Sequence, residues 1–263
     1  MFKQSKTIAV LTDFGLEDGY VGIMKGVMSS IYADLSIIDL THYIPPQNIW
    51  AARFCLMNAY PYLPKNTVFL AVVDPGVGSK RRSIAIKCSR GYLVGPDNGL
   101  FSGILLEDPA IKAVSLTNTD YWRVPNVSFT FHGRDIFAPV ASHLASGVPL
   151  EALGVDIPLN SLVSLPLDHP KVTENKIIGS IQYIDHFGNL ITNISSYQVK
   201  DKDWLIQIDD KIIKSGLTYG DVNRGENIPL IGSHGWLEIA VNGGNAQEKL
   251  QLKWGDKITV IFQ

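Results

Sequence analysis

The stretch Thr7–Thr41, "TIAVLTDFGLEDGYVGIMKGVMSSIYADLSIIDLT", decides the fold. It opens on an apolar run with no alternation, the pattern of a strand buried on both faces. A polar loop follows, "TDFGLEDG". From Tyr20 to Tyr32 the apolar residues recur at helical spacing. "LSIIDLT" is then a second strand. Strand, helix and strand in this order make a βαβ unit, and such units build a mostly parallel sheet covered on both faces.

The same rhythm extends outward. "NIWAARFCLMNAYPYL" is predicted as a helix, with Asn48 as its cap and Pro61 near its end. "TVFLAVVD" is a third strand, "SIAIKCS" and "GYLVGPDNG" are shorter strands around a turn at 89–91, and "IFAPVASHLASG" is a helix closed by Gly147. After about residue 160 the rhythm changes. The stretch 160–176 has mixed polarity and no period, which marks an interdomain connection. Beyond it, "IIGSIQYIDHFGNLITNIS", "WLIQIDDKIIKSG", "IPLIGSHGWLEIAVNGG" and "KLQLKWGDKITVIF" are short alternating runs split by Gly, Asn and Asp. They predict an all-β barrel-like domain. The expected organisation is an α/β chain: residues 1–160 as an N-terminal, mostly parallel α/β domain, 161–175 as a linker and 176–263 as a C-terminal β-barrel domain.

With 263 residues and 46% hydrophobic content the chain can bury two modest cores. A net charge of −2 gives no reason to expect nucleic acid or an anionic membrane as a partner. Cys55 and Cys88 form no disulfide framework and no metal-ligand spacing. The apolar run near the start is too short for a signal segment, and no run is long enough to cross a bilayer. A cytoplasmic protein is expected.

Ligands of open parallel sheets bind beyond the C-terminal strand ends. Three polar loops lie there: "TDFGLEDGY", "DPGVGSKRR" and, after a strand expected over 127–131, "HGRD". The topology can thus bring Asp13, Asp74 and His132 to one rim. Asp13 is able to accept two hydrogen bonds from a ribose diol, or to serve its own turn; Asp18 is able to cap the next helix. Pro75-Gly76 suits the centre of a type II turn, with Asp74 before it. Neither GxGxxG nor GxxxxGK[ST] is present, so no nucleotide phosphate is implied. In the β domain, Asp185, Phe187 and Asn189 combine a carboxylate, a stacking ring and an amide that fits an adenine edge. Ser233, Glu238 and Asn242 suit the amine and carboxylate of an amino acid.

Taken in order, "TDFG", "DPGVGSKRR", "PDNG", "FHGRD", "DHFGNLITN" and "GSHGWLEIAVNGGNA" resemble the S-adenosylmethionine hydroxide adenosyltransferase family. These adenosine-forming S-adenosylmethionine (SAM) hydrolases are related to fluorinase and chlorinase, and the likeness runs from Thr7 to Phe262. It implies hydrolysis of SAM to adenosine and L-methionine, with SAM as substrate and no cofactor. It also implies a homotrimer with sites between the N domain of one subunit and the C domain of the next. The family's catalytic Asp, Arg and His fall on Asp74, Arg81 and His132, with the adjacent Arg82 the alternative arginine. Asp13 matches the ribose-binding residue. Asp18, Asp185, Ser233 and Glu238 match positions around the methionine part and the nucleoside, Phe187 and Asn189 the adenine contacts, and Tyr219 a further aromatic partner.

The trio is expected to position and polarise a water rather than to deprotonate it outright. A carboxylate beside the nucleophile site repels halide, which favours water over chloride or fluoride. The rival readings are a SAM or adenosine sensor without turnover, a SAM-dependent halogenase, and a metal-dependent hydrolase built on Asp13, Asp18, Asp74 and His132.

Overall fold

β1 (Thr7–Thr12) is buried along its whole length, and its neighbours explain why. In the computed structural model, which describes residues 6–166, 168–208 and 211–263, the chain divides into two compact units, 1–165 and 166–263. The opening residues 1–5 lie outside the described ones. In the first unit β1 is followed by α1 (Tyr20–Ile31), β2 (Ser36–Thr41), α2 (Ile49–Ala59), β3 (Thr67–Val72), β4 (Ser83–Lys87) and β5 (Gly91–Pro96). Then come α3 (Ser102–Glu107), β6 (Lys112–Ser115), α4 (Ala138–Ser146) and β7 (Val155–Asp156). The sheet order is β2-β1-β3-β5-β4-β6-β7. The first four strands are parallel and the last three join antiparallel, so the sheet is mixed.

β1 and β3 are central and carry unbroken apolar runs, buried at every position. β2 is the edge strand and is mostly exposed or half-buried. α1 buries Val21, Met24 and Met28, spaced three and four apart, as a one-faced helix must. α2 is capped by Asn48, whose side chain accepts from the Ala51 N–H at 2.9 Å. α4 ends at Gly147 with φ 110°, the left-handed residue that lets a helix close.

The strand expected over 127–131 is absent. Those residues form a loop, and the chain enters α4 through a π turn at Gly133–Phe137. The loop is held by polar ties rather than by a ladder: the Ser128 N–H donates to Asp135 Oδ2 at 2.9 Å. α3 and β6, by contrast, lie in stretches too short to carry a period.

In the second unit β8 (Lys171–Val172), β9 (Lys176–Ile184), β10 (Leu190–Ser195), the single turn α5 (Ser196–Val199), β11 (Trp204–Ile208) and β12 (Lys211–Lys214) come first. β13 (Asn227–Ile231), β14 (Trp236–Val241), the short α6 (Ala246–Leu250) and β15 (Lys257–Phe262) complete it. Every pairing is antiparallel, in the order β12-β11-β15-β9-β10-β14-β13, with β8 on β9. β9 turns the corner: its first half pairs with β15 and its second half with β10. Just past β12, the Gly216 N–H donates to the Pro229 carbonyl of β13 at 3.0 Å, bringing the ends of the path together. The result is a nearly closed barrel around Ile177, Leu190, Ile206, Leu237 and Val260.

The stretch 161–175 is taken up by both units. The Val163 N–H donates to Asp97 Oδ1 and the Leu165 N–H to Ser102 Oγ, both at 2.9 Å, while 171–172 joins β9. Leu167 lies outside the described residues. Among the described residues no helix is long and apolar enough to cross a membrane.

Candidate active site

Thr12 and Val72 are register partners at the ends of the adjacent parallel strands β1 and β3. Asp13 and Asp74 therefore leave the same rim, one and two residues on. After β3 the chain makes two successive turns: the Val77 N–H donates to the Asp74 carbonyl and the Ser79 N–H to the Gly76 carbonyl, both at 3.1 Å. The left-handed glycine is Gly78, with φ 75°, and not Gly76, so the first turn is not of type II. A methyl group on Gly78 would overlap the Phe129 carbonyl oxygen, so this turn and the 127–131 loop lie in direct contact. From the far side, Asn98 Nδ2 donates to the Val73 carbonyl at 2.9 Å, fixing the residue before Asp74.

The double turn returns Arg81 to the carboxylate. Arg81 Nε donates to Asp74 Oδ1 at 2.9 Å and Nη2 donates to Oδ2, a bidentate pair. Nη2 also contacts His132 Nδ1 at 2.8 Å, and Nη1 donates to Ser83 Oγ at 2.7 Å. The Phe137 ring lies 5.2 Å below the guanidinium. Both side chains of the ion pair are nearly buried, at 10% and 5% exposure, so the pair is little screened. Arg82 points elsewhere: it pairs with Asp97 at 2.5 Å and donates to Ser161 Oγ at 2.9 Å. Of the two adjacent arginines, only Arg81 joins Asp74 to His132.

This geometry fixes the histidine's proton. A guanidinium has donors only, so His132 Nδ1 must accept and the ring proton sits on Nε2. Burial, and next the Arg81 charge, hold the His132 pKa below its ordinary value against the opposing pull of Asp74 and Asp135. His132 is thus a neutral imidazole that carries its N–H on Nε2. The buried Asp135 beside it is structural. Its carboxylate takes Arg123 Nε at 2.8 Å, Arg134 Nε at 2.7 Å and the Ser128 N–H at 2.9 Å. Burial opposes its ionisation, but these donors outweigh burial and keep it ionised.

The loop after β1 is half-buried at Asp13 and exposed at Asp18. Asp18 does not cap α1, whose cap position is Gly19 and carries no side-chain bond. Asp13 Oδ2 accepts from the Gln47 N–H at 2.7 Å, so its partner lies in the β2–α2 loop and not in its own turn. The same two loops are joined where the Gly15 N–H donates to the His42 carbonyl and where Thr12 Oγ1 meets His42 Nδ1, both at 2.8 Å. Tyr20 and Phe131 pack edge to face at 5.2 Å, and Phe14 packs on both. This aromatic group seats the His132 loop against the Asp13 loop.

In the second unit the predicted residues form two clusters on one strand pair, β10–β14, where Ile191 and Glu238 are register partners. Asp185 is occupied within its own loop: Oδ1 accepts from the Phe187 and Asn189 N–H groups at 2.9 and 2.8 Å, and Oδ2 from Asn189 Nδ2 at 3.0 Å. Gly188, with φ 80°, closes that loop and leaves Phe187 71% exposed, its ring edge-on to His186 at 5.7 Å and two residues from the buried Asn189. Glu238 is buried, taking the Tyr219 hydroxyl at 2.6 Å and His234 Nε2 at 3.0 Å. The Trp236 N–H donates to His234 Nδ1 at 3.1 Å, so Nε2 is the protonated nitrogen there too. Burial alone would raise the Glu238 pKa, but the bonds from His234 and Tyr219 hold it below the usual range, and burial together with Glu238 pushes Tyr219 up to about 12. Ser233 is exposed in the turn before β14.

Sequence reasoning missed Gln47, His42 and Ser83. Only the first had a signal: "PPQN" places a residue where a proline-led turn wants glycine. Cys88 is an inert buried thiol, pushed up to about 12 first by burial. Among the described residues no three His, Cys, Asp or Glu side chains group as metal ligands.

Two family models match the chain: the SAM hydroxide adenosyltransferase N-terminal domain over residues 8–154 and its C-terminal domain over 179–259. An (R)-S-adenosyl-L-methionine hydrolase from Thermus thermophilus is 39% identical, over 97% of this chain and 100% of its own. A fluorinase from Actinopolyspora mzabensis is 27% identical, over 96% of each chain. A crystal structure of an uncharacterized conserved protein from Thermotoga maritima superposes with a TM-score of 0.90 at 39% identity, covering 97% of this chain and 99% of the other.

Proposed function

The chain belongs to the SAM hydroxide adenosyltransferase family, and we propose that it hydrolyses S-adenosyl-L-methionine by attack of water at C5′, releasing adenosine and L-methionine. The observation that carries the residue roles is the unbroken chain Asp74–Arg81–His132 at the rim of the first unit's sheet. Carbon C5′ bears a sulfonium, so its leaving group is a neutral thioether and needs no acid. What the reaction lacks is a good nucleophile.

The trio supplies a place for water. Asp74 keeps lone pairs beyond the two that Arg81 takes, and one of these accepts a water O–H. His132 Nε2–H donates to the same oxygen, leaving its other lone pair for C5′. As the C–O bond forms and the C–S bond breaks, the proton on the developing oxonium passes to Asp74 or to solvent. Arg81 stays charged throughout and holds both partners still. With His132 neutral the trio carries no net charge, so it neither traps the sulfonium nor attracts halide. Asp13 holds the ribose diol, Phe187 stacks on the base and Asn189 reads its edge. The reaction uses no cofactor, and a chelator leaves it unchanged.

The active assembly in this proposal is a homotrimer in the cytoplasm, each site combining the first unit of one copy with the second unit of another. The test is to incubate the full chain with SAM and follow adenosine and methionine. Wild-type protein releases both, and Asp74→Asn lowers kcat by about 10²–10⁴-fold at a temperature where the variant is still fully folded. Wild-type turnover in that variant overturns the roles given to the trio.

A further inference from the structure

Gln47 has a left-handed backbone, φ 65°, one of four residues other than glycine to do so among the described residues. It occupies the third position of a turn closed by the Asn48 N–H on the Pro45 carbonyl at 2.9 Å, with Pro46 second. A proline-led turn with φ above zero at its third residue is a type II turn, and that position favours Gly or Asn. A side chain there crowds the backbone. Strain of this kind persists where the surroundings impose it, and it clusters at binding sites.

The surroundings here are specific. The Gln47 N–H donates to Asp13 Oδ2 at 2.7 Å, so the Gln47 backbone touches the carboxylate assigned above to the ribose. Glycine would supply that N–H without strain. The chain instead carries an exposed primary amide at this point. We propose that the Gln47 side-chain amide is a second ribose-binding group, working beside Asp13. This rests on the proposed function, in which the ligand is a nucleoside.

The chemistry of a diol calls for such a group. A carboxylate only accepts, so Asp13 takes the two hydroxyl protons and leaves the hydroxyl oxygens with unused lone pairs. A primary amide next to it donates into one of them. Carboxylate and amide together match a cis-diol donor for acceptor, and they reject a sugar lacking one hydroxyl by leaving a polar group unpaired.

The experiment uses the full chain as wild type, Gln47→Gly and Gln47→Asn. It measures the Kd of adenosine and of 2′-deoxyadenosine by calorimetry, KM and kcat for SAM, and Tm. Gln47→Gly keeps the N–H and relieves the backbone, so Tm rises by about 2–4 °C. The same variant raises the adenosine Kd and the SAM KM together, about tenfold, with the smaller change in kcat. The 2′-deoxyadenosine Kd moves less than the adenosine Kd, and Gln47→Asn recovers part of the loss. An adenosine Kd within twofold of wild type in Gln47→Gly overturns the proposal. If wild type binds adenosine but releases none from SAM, the hydrolase reading fails while the Kd values still decide the role of Gln47. If wild type binds neither ligand, both fall.

Discussion

Arg81 makes four polar contacts with three side chains: two hold Asp74, one meets His132, and one anchors the guanidinium on Ser83. Lysine offers one point charge in place of this planar fork. Arg81→Lys is therefore expected to lower Tm and to lower kcat by about 10²-fold or more at temperatures where the variant is still folded, which thermal unfolding and steady-state kinetics separate. His132 gives the pH dependence. Its neutral form is the one that accepts from Arg81, and its pKa lies below the ordinary 6.5. kcat/KM is thus expected to be flat near neutrality and to fall on the acid side, below about 6.5, as the ring gains a second proton. Stability follows the same sign. Below the unfolded-state value the unfolded chain binds a proton that the folded ring resists, so folding loses this contribution as pH falls towards the folded pKa. A His132→Gln variant removes that acid limb from the rate profile if the assignment holds. At this scale the nearness of Asp74 to His132 was legible in the sequence. The choice between Arg81 and Arg82 was not, since two adjacent arginines differ only in which carboxylate each meets, and Asp97 is what draws Arg82 away.

The elements that position the trio are turns more than strands. β1 and β3 were legible because a strand buried on both faces reads as an unbroken apolar run. The loop over 127–131 was misread as a strand because Val127, Phe129 and Phe131 alternate. The pattern is right for a strand, but Asp135 captures the Ser128 N–H and the Phe129 carbonyl packs against the Cα of Gly78, where a partner strand would otherwise lie. The turn after Asp74 was also misassigned: the sequence offers two glycines, and the backbone uses Gly78 where Gly76 looked better placed. This yields a prediction at the level of the element. Gly78→Ala must strain a left-handed residue and push the 127–131 loop away, so it is expected to cost about 1–3 kcal/mol and to lower kcat, read by denaturant unfolding and turnover. Gly76→Ala meets only tight side-chain contacts, with Arg81 at 3.3 Å and Ser79 at 3.4 Å, and is expected to be milder.

For the molecule as a whole, the sequence predicted an α/β domain followed by a β-barrel domain, and these are the two units observed. The homotrimer rests on the family resemblance alone. The proposed ligand contacts are divided, with the trio and Asp13 in the first unit and Phe187 and Asn189 in the second. Light scattering is expected to give three times the 28.9 kDa chain mass, and mixing an Asp74→Asn chain with an Asn189→Ala chain is expected to restore activity through mixed sites. No gain over either variant alone would place each site within one copy. The central claim is attack by water at C5′, and oxygen labelling tests it most directly. Wild-type protein is incubated with SAM in ¹⁸O-water containing chloride, and the products are analysed by mass spectrometry. The account predicts adenosine carrying one ¹⁸O at its 5′-oxygen and unlabelled methionine. Unlabelled adenosine, 5′-chloro-5′-deoxyadenosine or methylthioadenosine would contradict it.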